Sequence, residues 1–337
     1  AMEHIGVLHT PVLLERCLDL LAGAFTGQNP VMIDCTLGMG GHSEGALERF
    51  ENLTVIGIDR DPQAIALASE RLKRFGSRFQ AVHTTYDHID EVAGLYGHGG
   101  YVDGVLMDLG VSSLQLDEVE RGFSYAHDAA LDMRMDQSSG VSAQQLLDTA
   151  SVQELTRYLR EYGEERFASK IASAIVRRRE AGKPVTSTGE LVQLVRDALP
   201  AAAKRTGGNP AKRTFQALRI AVNNELEVLS SAIVSAVDVL RVDGRIVVES
   251  YQSLEDRIVK QTFTKAASLA APVDMPVVPD DALPVVELLT RGAERADAKE
   301  LEHNSRSASV RLRAARKLRQ VPISQHISLN TKQRKHR

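Results

Sequence analysis

The stretch Val31-Met-Ile-Asp-Cys-Thr-Leu-Gly-Met-Gly-Gly-His42 is followed, after a short helical segment, by Thr54-Val-Ile-Gly-Ile-Asp59. Two apolar segments of strand length therefore flank a glycine-rich turn, and the second segment ends in an acid. Glycines let a backbone approach a ligand closely, and the helix that follows the turn offers unpaired N–H groups. An acid at the end of the second strand suits the hydroxyls of a ribose. The unit predicts a site for a cofactor that carries adenosine.

The composition places the chain among globular proteins. Of its 337 residues, 43% are hydrophobic and 25% are charged, which is the balance of a soluble domain or two. No apolar run approaches the roughly 18 residues that a membrane span needs, and no signal-peptide pattern is present. We therefore expect a cytoplasmic protein that does not enter a membrane. Cys17 and Cys35 lack metal-ligand spacing and are expected to be reduced thiols.

The charge is unevenly distributed along the chain. The net charge is −3, yet from His303 onward there are ten Lys or Arg residues and no Asp or Glu. Such a basic segment favours a polyanionic partner. A solvated tail that binds nothing fits the same charge pattern equally well.

The pattern from residue 31 to residue 110 alternates strand-like and helix-like segments. The strand-like runs are 31–36, 54–59, 78–83 and 102–108. This alternation predicts an α/β fold, Rossmann-like, with a mostly parallel doubly wound sheet. Residues 111–142 are then loop-like, and residues 142–199 have helical periodicity throughout.

The C-terminal part returns to a mixed pattern. Apolar residues at helical spacing predict one long helix from Phe215 to Leu240. Strand candidates follow at 245–251, 285–290 and 309–315. We interpret residues 1–110 and 214–318 as one methyltransferase-like α/β domain, residues 111–213 as a helical insertion that recognises the substrate, and residues 319–337 as a basic, flexible tail.

The glycine turn by itself does not identify the cofactor. The dinucleotide pattern Gly-x-Gly-x-x-Gly is met at Gly38 and Gly40, but Ser43 stands where the third glycine belongs. Asp34, at the end of the first strand, together with Asp59 is the usual arrangement for S-adenosylmethionine in Rossmann-like methyltransferases. A tight turn without a ligand is the alternative that these acids make less favourable.

The fourth strand supplies a further acid. Asp108 ends the run Val-Leu-Met-Asp at the edge of the sheet where doubly wound folds bind ligands. Ser112, Ser113 and Gln115 follow directly. A buried unpaired carboxylate is costly, so packing alone does not explain Asp108. A helix cap or an ion pair with Arg121 is the structural alternative.

Several long motifs occur in order along the chain and resemble one family closely. They are Asp108-Leu-Gly-Val-Ser-Ser-Leu-Gln-Leu-Asp117, Glu120-Arg-Gly-Phe-Ser-Tyr125, Leu131-Asp-Met-Arg-Met-Asp136, Tyr162-Gly-Glu-Glu-Arg166, Arg213-Thr-Phe-Gln-Ala-Leu-Arg-Ile220 and Ser253-Leu-Glu-Asp-Arg-Ile-Val-Lys260. Together with motifs near residues 9 and 304, they are similar to the ribosomal RNA small subunit methyltransferase H (MraW) family. The resemblance covers residues 9 to about 315.

The resemblance implies methyl transfer from S-adenosylmethionine to N4 of a cytidine in the decoding centre of 16S rRNA. It implies the small ribosomal subunit as partner, and it implies no metal. It leaves a homodimer open. The cofactor contacts that it implies are Gly40, Gly41, His42, Asp59, Tyr86, Asp108 and Gln115. His42 as an ordinary first-turn helix residue and Tyr86 as a core residue are the alternatives.

This chain departs from the family pattern at three places. The usual Phe-His is Tyr251-Gln252, the usual His of His-Pro-Ala-Thr-Arg is Asn209, and the usual Pro of Ser-Ser-Pro-Gln is Leu114. Two histidines have thus become amides, so neither position supplies a titrating base. We interpret both amides as hydrogen-bonding or shaping groups at the RNA site.

The acceptor chemistry follows from the electronic structure of cytosine. Its amine lone pair is delocalised into the ring, so acceptors that bind the amine N–H atoms assist its attack on the methyl group. We assign this catalytic role to Asp108, Ser112 and Ser113. Phe123 and Tyr125 are candidates for stacking on a splayed base or, alternatively, for anchoring a loop. Candidate phosphate contacts are Arg134, Lys204, Arg205, Lys212, Arg213, Arg219 and the C-terminal tail.

Other functions make different demands on the sequence. A ribosome-assembly factor that binds S-adenosylmethionine without turnover is supported only by the two amide replacements. A nicotinamide-dependent oxidoreductase requires the third glycine at position 43. A methyltransferase acting on DNA or a small molecule stays open, although the Pro-Pro-Tyr/Trp-type motif of DNA amino-methyltransferases is absent after the fourth strand.

Overall fold

The computed structural model describes residues 10–110, 128–205, 209–271 and 275–327. Strands in these ranges form one seven-stranded sheet. They are β1 (Val31–Asp34), β2 (Thr54–Asp59), β3 (Phe79–His83), β4 (Val102–Asp108), β5 (Leu240–Ser250), β6 (Val286–Leu288) and β7 (Arg311–Lys317).

Helices lie between the strands and in the long segment that follows β4. They are α1 (Leu14–Ala22), α2 (Gly41–Arg49), α3 (Pro62–Arg71), α4 (Ile89–Tyr96), α5 (Ala143–Thr149), α6 (Val152–Glu161), α7 (Ala168–Glu180), α8 (Thr188–Ala198), α9 (Lys212–Asn223), α10 (Glu225–Asp238), α11 (Ser253–Ala266) and α12 (Ala298–His303).

The order of the strands confirms the predicted fold class. The sheet runs β3-β2-β1-β4-β5-β7-β6; β1 to β5 pair in parallel, and β7 is antiparallel to both of its neighbours. From β1 the chain continues to β2 and β3 on one side of β1, and it then crosses to β4 on the other side. Such a reversal creates a crevice at the carboxyl ends of the two central strands, which is where doubly wound sheets bind ligands.

Alternation along the central strands buries both faces of the sheet. Ile33 and Val105 point into a core shared with α4, α10 and α11, whereas Met32 and Leu106 point into the opposite core with α1, α2 and α3. Period-2 alternation of fully apolar strands is the signature of a sheet covered by helices on both sides. The Rossmann-like prediction therefore holds in its packing as well as in its strand order.

The chain divides into two compact units, Ala1–Gly110 with Glu227–Arg337 and Val111–Leu226. The second unit is helical: α5 to α9 enclose their own apolar core. We predicted that the insertion ends at residue 213, but Phe215, Ala217 and Leu218 of α9 pack in this helical core. The boundary therefore lies at Leu226.

The predicted long helix from Phe215 to Leu240 is wrong. It breaks at Asn224, which has a left-handed φ of 54° and separates α9 from α10. Asparagine tolerates this conformation better than other non-glycine residues do. The apolar periodicity continues through the break because each half buries one face, so the spacing alone does not reveal it.

The basic C-terminal segment begins as a strand. Arg313 pairs with Asp256, Arg316 pairs with Asp243 and Glu287, and the chain continues past β7 into a short helical turn. Within that turn Ile323 and His326 are fully buried. The predicted flexible tail, 319–337, is therefore wrong for residues 319–327, which pack on the α/β unit.

Within the described ranges, no single helix has the length and apolarity to cross a membrane. By those two criteria alone only the bent pair of α9 and α10 qualifies.

Candidate functional site

Three strand-end acids lie at the carboxyl edge of the parallel sheet. Asp34 ends β1, Asp59 ends β2 and Asp108 ends β4. The strands β1, β2 and β4 are direct neighbours in the sheet, with β1 in the middle. Parallel pairing brings their carboxyl ends to one edge, so the residues predicted from three separate motifs share one site at the switch point.

The glycine turn connects β1 to α2 with two left-handed residues. Gly38 has a φ of 53° and Gly40, the N-cap residue of α2, has a φ of 84°. Side chains rarely adopt these angles. Gly41 is required for a different reason, because a Cβ there would lie 2.5 Å from Cγ of Pro11. Backbone angle thus explains Gly38 and Gly40, and close packing on the Pro11 ring explains Gly41.

The carboxylate of Asp34 is buried and already hydrogen-bonded within the protein. It is 1% exposed; its Oδ2 accepts a 2.7 Å hydrogen bond from Ser43 Oγ and its Oδ1 accepts one from the Thr36 N–H. Burial raises the pKa of Asp34, while the Ser43 hydrogen bond lowers it. The serine that replaces the third glycine of the dinucleotide pattern therefore anchors α2 to β1. Sequence reasoning missed this pair.

Asp59 ties β2 to the glycine turn. Its Oδ2 accepts from the Gly38 N–H at 2.8 Å and its Oδ1 from the Asp61 N–H at 2.9 Å. Each carboxylate oxygen has two lone pairs, so each can accept one further hydrogen bond. Burial raises the pKa of Asp59 to about 6 despite these two backbone donors.

The segment after β3 contributes an aromatic ring and a second acid. Tyr86 begins a short 3₁₀ turn, Tyr86–His88, and packs half-buried against the apolar core. The next residue, Asp87, has a buried Oδ1 without a hydrogen-bond partner. Buried oxygens are rarely left unpaired unless a ligand or water completes them. Asp87 is therefore a candidate ligand contact that the sequence motifs did not indicate.

Asp108 is hydrogen-bonded to residues that follow β1 and β4. Its N–H donates to Thr36 Oγ1 at 2.7 Å, and its Oδ1 accepts from the Gly110 N–H at 3.2 Å. Nδ1 of His42 lies 3.9 Å from Oδ2 of Asp108, so the first turn of α2 faces this carboxylate. The side chain of Asp108 keeps 24% exposure and stays accessible to a ligand.

His42 is buried against the protein on its other side. Its Nε2 lies 3.1 Å from the Val12 carbonyl and therefore carries the proton of that hydrogen bond. The same nitrogen lies 3.7 Å from Oε2 of Glu249, which is fully buried. His42 thus links the N-terminal segment, α2 and the end of β5.

Glu249 is the least expected residue of the site. It is the register partner of Asp108 in the parallel pair β4–β5, and its Oε1 accepts from the Cys17 thiol at 2.9 Å. Burial first, and the Asp108 charge second, raise the pKa of Glu249 well above its usual range. Burial likewise raises the pKa of Cys17.

Cys17, His42 and Glu249 place three potential metal-ligand atoms within 4.8 Å of one another. A zinc ion at about 2.0–2.3 Å from each ligand would keep tetrahedral neighbours more than about 3 Å apart. The Cys17 Sγ to Glu249 Oε1 distance is 2.9 Å, and His42 Nε2 donates its proton to a carbonyl. The group is better described as a hydrogen-bonded network than as a metal centre.

Several predicted residues lie outside the described ranges. These are Ser112, Ser113, Leu114, Gln115, Arg121, Phe123 and Tyr125. Their assigned roles stay predictions.

The two amides that replace family histidines have separate surroundings. Asn209 accepts the Ala211 N–H through Oδ1 at 2.9 Å and so helps to start α9. Gln252 is the N-cap residue of α11, and its Oε1 is buried without a hydrogen-bond partner.

Three of the six predicted phosphate-binding cations before the C-terminal tail are already engaged within the protein. Arg134 pairs with Asp132 and Arg219 pairs with Glu225, while Arg213 donates to the Glu164 carbonyl. These interactions leave fewer free charges for RNA than the sequence suggests. Lys204 and Lys212 have exposed side chains.

The sheet order, the glycine turn and the three acids at one edge define a Rossmann-like methyltransferase. The MraW methylase family model matches residues 6–318, and the chain belongs to that family. A relative from Beutenbergia cavernae is 60% identical over 317 residues, 94% of this chain and 95% of the relative. One from Kocuria rhizophila is 56% identical over 93% of this chain and 95% of the relative.

Both relatives are named ribosomal RNA small subunit methyltransferase H. The family membership predicted from the motifs is confirmed. The protein is a methyltransferase, and its methyl donor is S-adenosylmethionine.

Proposed function

We propose that this methyltransferase transfers the methyl group of S-adenosylmethionine to the exocyclic N4 of a cytidine in the decoding centre of 16S rRNA. Its substrate is the small ribosomal subunit, and its compartment is the cytoplasm. RNA as the class of substrate is supported by the names of relatives that align over more than nine tenths of the chain. The observation that carries the proposal is the partly exposed Asp108 carboxylate at the switch point, beside the glycine turn.

The donor site consists of the turn and of the acids around it. The proposed contacts are Gly40, Gly41, His42, Asp59, Tyr86, Asp108 and Gln115, to which we add Asp87. Gln115 lies outside the described residues. The glycine turn has left-handed backbone at Gly38 and Gly40, and we assign its backbone to one wall of the site.

The ribose is assigned to Asp59. Each of its oxygens accepts one backbone N–H and keeps one lone pair. Two vicinal hydroxyls present two donors at the matching spacing, which is the usual partnership of an acid at this strand end. The assignment rests on the one lone pair that each oxygen of the Asp59 carboxylate still has available.

The adenine is assigned to the segment after β3. The Tyr86 ring offers an apolar face, and the buried Asp87 Oδ1 offers an acceptor without a partner. The exocyclic amine of adenine is a donor that matches such an oxygen. The assignment accounts for an unpaired buried atom that nothing else in the described residues satisfies.

The reaction itself needs little covalent help from the protein. The cytidine N4 lone pair forms a bond to the methyl carbon, the carbon–sulfur bond breaks, and its electron pair goes to sulfur. The nitrogen then releases one proton to water. Holding amine and methyl group in line is worth roughly 7–11 kcal/mol. No titrating base is required, in keeping with the amides at positions 209 and 252.

Asp108 is assigned to the amine. Its carboxylate accepts an amine N–H, which localises the nitrogen lone pair for attack on the methyl carbon. Ser112 and Ser113, directly after β4 in sequence, are assigned the second N–H. The buried and already paired Asp34 takes no part in this step.

The substrate base must leave its stack to reach this edge, as bases do in enzymes that modify them. Phosphates of the surrounding RNA are assigned to the exposed Lys204 and Lys212 and to the basic residues at 332–337. Binding through phosphates weakens steeply as salt rises.

Nucleoside mass spectrometry of 16S rRNA tests the function. Small subunits from cells lacking the enzyme are incubated with S-adenosylmethionine and either wild-type protein or Asp108→Asn. Wild type is expected to produce N4-methylcytidine, and D108N at least a hundredfold less. An unchanged N4-methylcytidine content with wild type would overturn the function. Full turnover by both Asp108→Ala and Ser112→Ala would overturn the assignment of the acceptors.

A further inference from the structure

A pair of acids joins the ends of β4 and β5 at the methyl-transfer site. Asp108 and Glu249 are register partners in neighbouring parallel strands. Asp108 is partly exposed, whereas Glu249 is 0% exposed. Two ionised carboxylates at adjacent positions would repel each other, and burial together with the Asp108 charge raises the pKa of Glu249. Asp108 is therefore the acid that a ligand can reach, and Glu249 lies behind it in the protein interior.

Tyr251 connects these two acids. Its hydroxyl donates to Oε2 of Glu249 at 3.4 Å, and the side chain of Asp108 is its other hydrogen-bonding neighbour. Its ring packs on the backbone at Gly110, where a Cβ would come within 2.9 Å of Cε2.

The other groups around Glu249 complete the network. Cys17 of α1 contacts its Oε1, and His42 of α2 approaches its Oε2. Glu300 of α12 contributes a more distant negative charge. Among the described residues, no Lys or Arg side chain pairs with Glu249. Its hydrogen bonds come from Cys17 of α1 and from Tyr251 after β5, and the His42 ring lies 3.7 Å away.

Resting on the proposed function, we propose that Tyr251 and Glu249 are positioning residues that fix the carboxylate of Asp108 toward the cytidine amine. The hydroxyl has one proton, which the carboxyl groups of Glu249 and Asp108 both attract, so the three side chains form one network that restrains the rotation of the Asp108 carboxylate. Neither residue contacts the reacting atoms. A carboxylate that rotates away from the amine leaves the lone pair delocalised, and displacements of about 1 Å can cost roughly a hundredfold in rate.

The positioning role predicts an effect on kcat rather than on KM. Tyr251→Phe keeps the ring on Gly110 and removes only the hydroxyl. We expect kcat for methylation of small subunits to fall about tenfold, with KM for S-adenosylmethionine changed less than twofold. The donor is held mainly by Asp59 and the glycine turn, which the substitution does not touch. Tyr101→Phe, at a half-exposed ring before β4, is the matched control and is expected to keep wild-type kcat.

A second pair of variants separates positioning from simple packing. Glu249→Leu fills the volume without hydrogen bonds and is expected to lower kcat at least tenfold. Glu249→Gln restores a neutral hydrogen-bonding group and is expected to recover activity to within about threefold of wild type. Wild-type kcat in both Y251F and E249L would overturn the proposal, and so would equal losses in E249L and E249Q.

Two measurements keep the proposals distinguishable. Calorimetric binding of S-adenosylhomocysteine reports on the donor site and is expected to be unchanged in Y251F. Absence of N4-methylcytidine with wild-type protein would contradict the proposed function itself. An active wild type with a Y251F variant whose loss lies entirely in KM would contradict the positioning role alone.

Discussion

The Ser43 hydroxyl donates a 2.7 Å hydrogen bond to the Asp34 carboxylate, and both residues are buried. Asp34 ends β1 and Ser43 lies in the first turn of α2, so the bond locks the strand to the helix across the glycine turn. A glycine at position 43, as in dinucleotide-binding proteins, would remove the donor. The turn of this chain is therefore stabilised by a side chain where those proteins use close packing.

Ser43→Ala is expected to destabilise the protein by about 1–3 kcal/mol, because a buried carboxylate loses its side-chain donor. Urea denaturation should show a lower midpoint with an unchanged slope. Ser268→Ala is the control: that half-buried hydroxyl donates to the Thr264 carbonyl, and its loss is expected to cost less than about 0.5 kcal/mol. Equal effects of the two substitutions would contradict the role of Ser43.

Gly40→Ala is expected to impair both folding stability and donor binding. Gly40 has a φ of 84°, and a Cβ there would lie 3.0 Å from Cδ1 of Leu72. Gly100 has a nearly identical φ of 85° with no atom near its Cβ position. Gly100→Ala therefore reports backbone strain alone, about 1 kcal/mol. G40A should exceed that cost and weaken S-adenosylhomocysteine binding, whereas G100A should leave binding intact.

Asp59 gives the donor site a dependence on pH. Burial raises its pKa to about 6, so the carboxylate is ionised above pH 6 and protonated below. The ionised form is the better acceptor for two hydroxyls in addition to its two backbone donors. The dissociation constant of S-adenosylhomocysteine is expected to rise as pH falls from 7.5 to 5, approaching tenfold per pH unit below the pKa.

Asp59→Asn is expected to bind weakly and to lose most of this pH dependence. Asp90→Asn, at an exposed acid in the first turn of α4, is the control that should retain it. A pH profile in D59N that parallels the wild-type profile would assign the dependence to another group.

Asp87→Asn tests the proposed adenine contact. The substitution keeps the size of the side chain, and either an unfavourable amide donor or a weaker neutral acceptor then faces the adenine amine. A loss of about 1–1.5 kcal/mol is expected, which is roughly a tenfold increase in the dissociation constant. Calorimetry with S-adenosylhomocysteine measures it. Unchanged affinity would mean that the unpaired Oδ1 has another purpose.

The sequence predicted the acids of the site because their positions follow from the chain order. Asp34, Asp59 and Asp108 each end an apolar run, and parallel strands bring such ends to one edge. Glu249 escaped notice because it lies inside an apolar run that was interpreted as core. Glu249 belongs to the site because it pairs in register with Asp108 of β4. Register between strands that are far apart in the sequence cannot be inferred from local periodicity.

The errors in the helical and C-terminal segments have equally specific causes. Helical spacing continued across Asn224 because both halves bury one face, and a single left-handed residue leaves that spacing intact. The run at 309–315 was predicted as a strand, which β7 confirms, but its basic residues were expected to bind a polyanion or to be solvated. In β7 its side chains alternate, and acids from distant segments pair with the arginines. Charge counting along the sequence cannot detect such partners.

Lys317 shows how far that alternation goes, since it is 1% exposed and its Nζ donates to the Val237 carbonyl at 2.7 Å. Burial lowers its pKa from 10.5 to about 8, although the Asp238 charge opposes the shift. Between pH 8 and 10.5 the unfolded chain binds this proton and the folded chain does not. Stability from this group therefore rises with pH across that window.

Lys317→Met is expected to remove that rise. Below pH 8 the folded protein bears the cost of a buried charge, and a methionine of similar length relieves it while leaving one helix-end carbonyl unpaired. The free energy of unfolding is measured for both proteins at pH 7.5 and pH 10. The difference, wild type minus K317M, is expected to increase by up to about 3 kcal/mol, because the two buried cysteines titrate in both proteins and cancel. A difference that stays constant with pH would mean that Lys317 keeps its proton throughout this range.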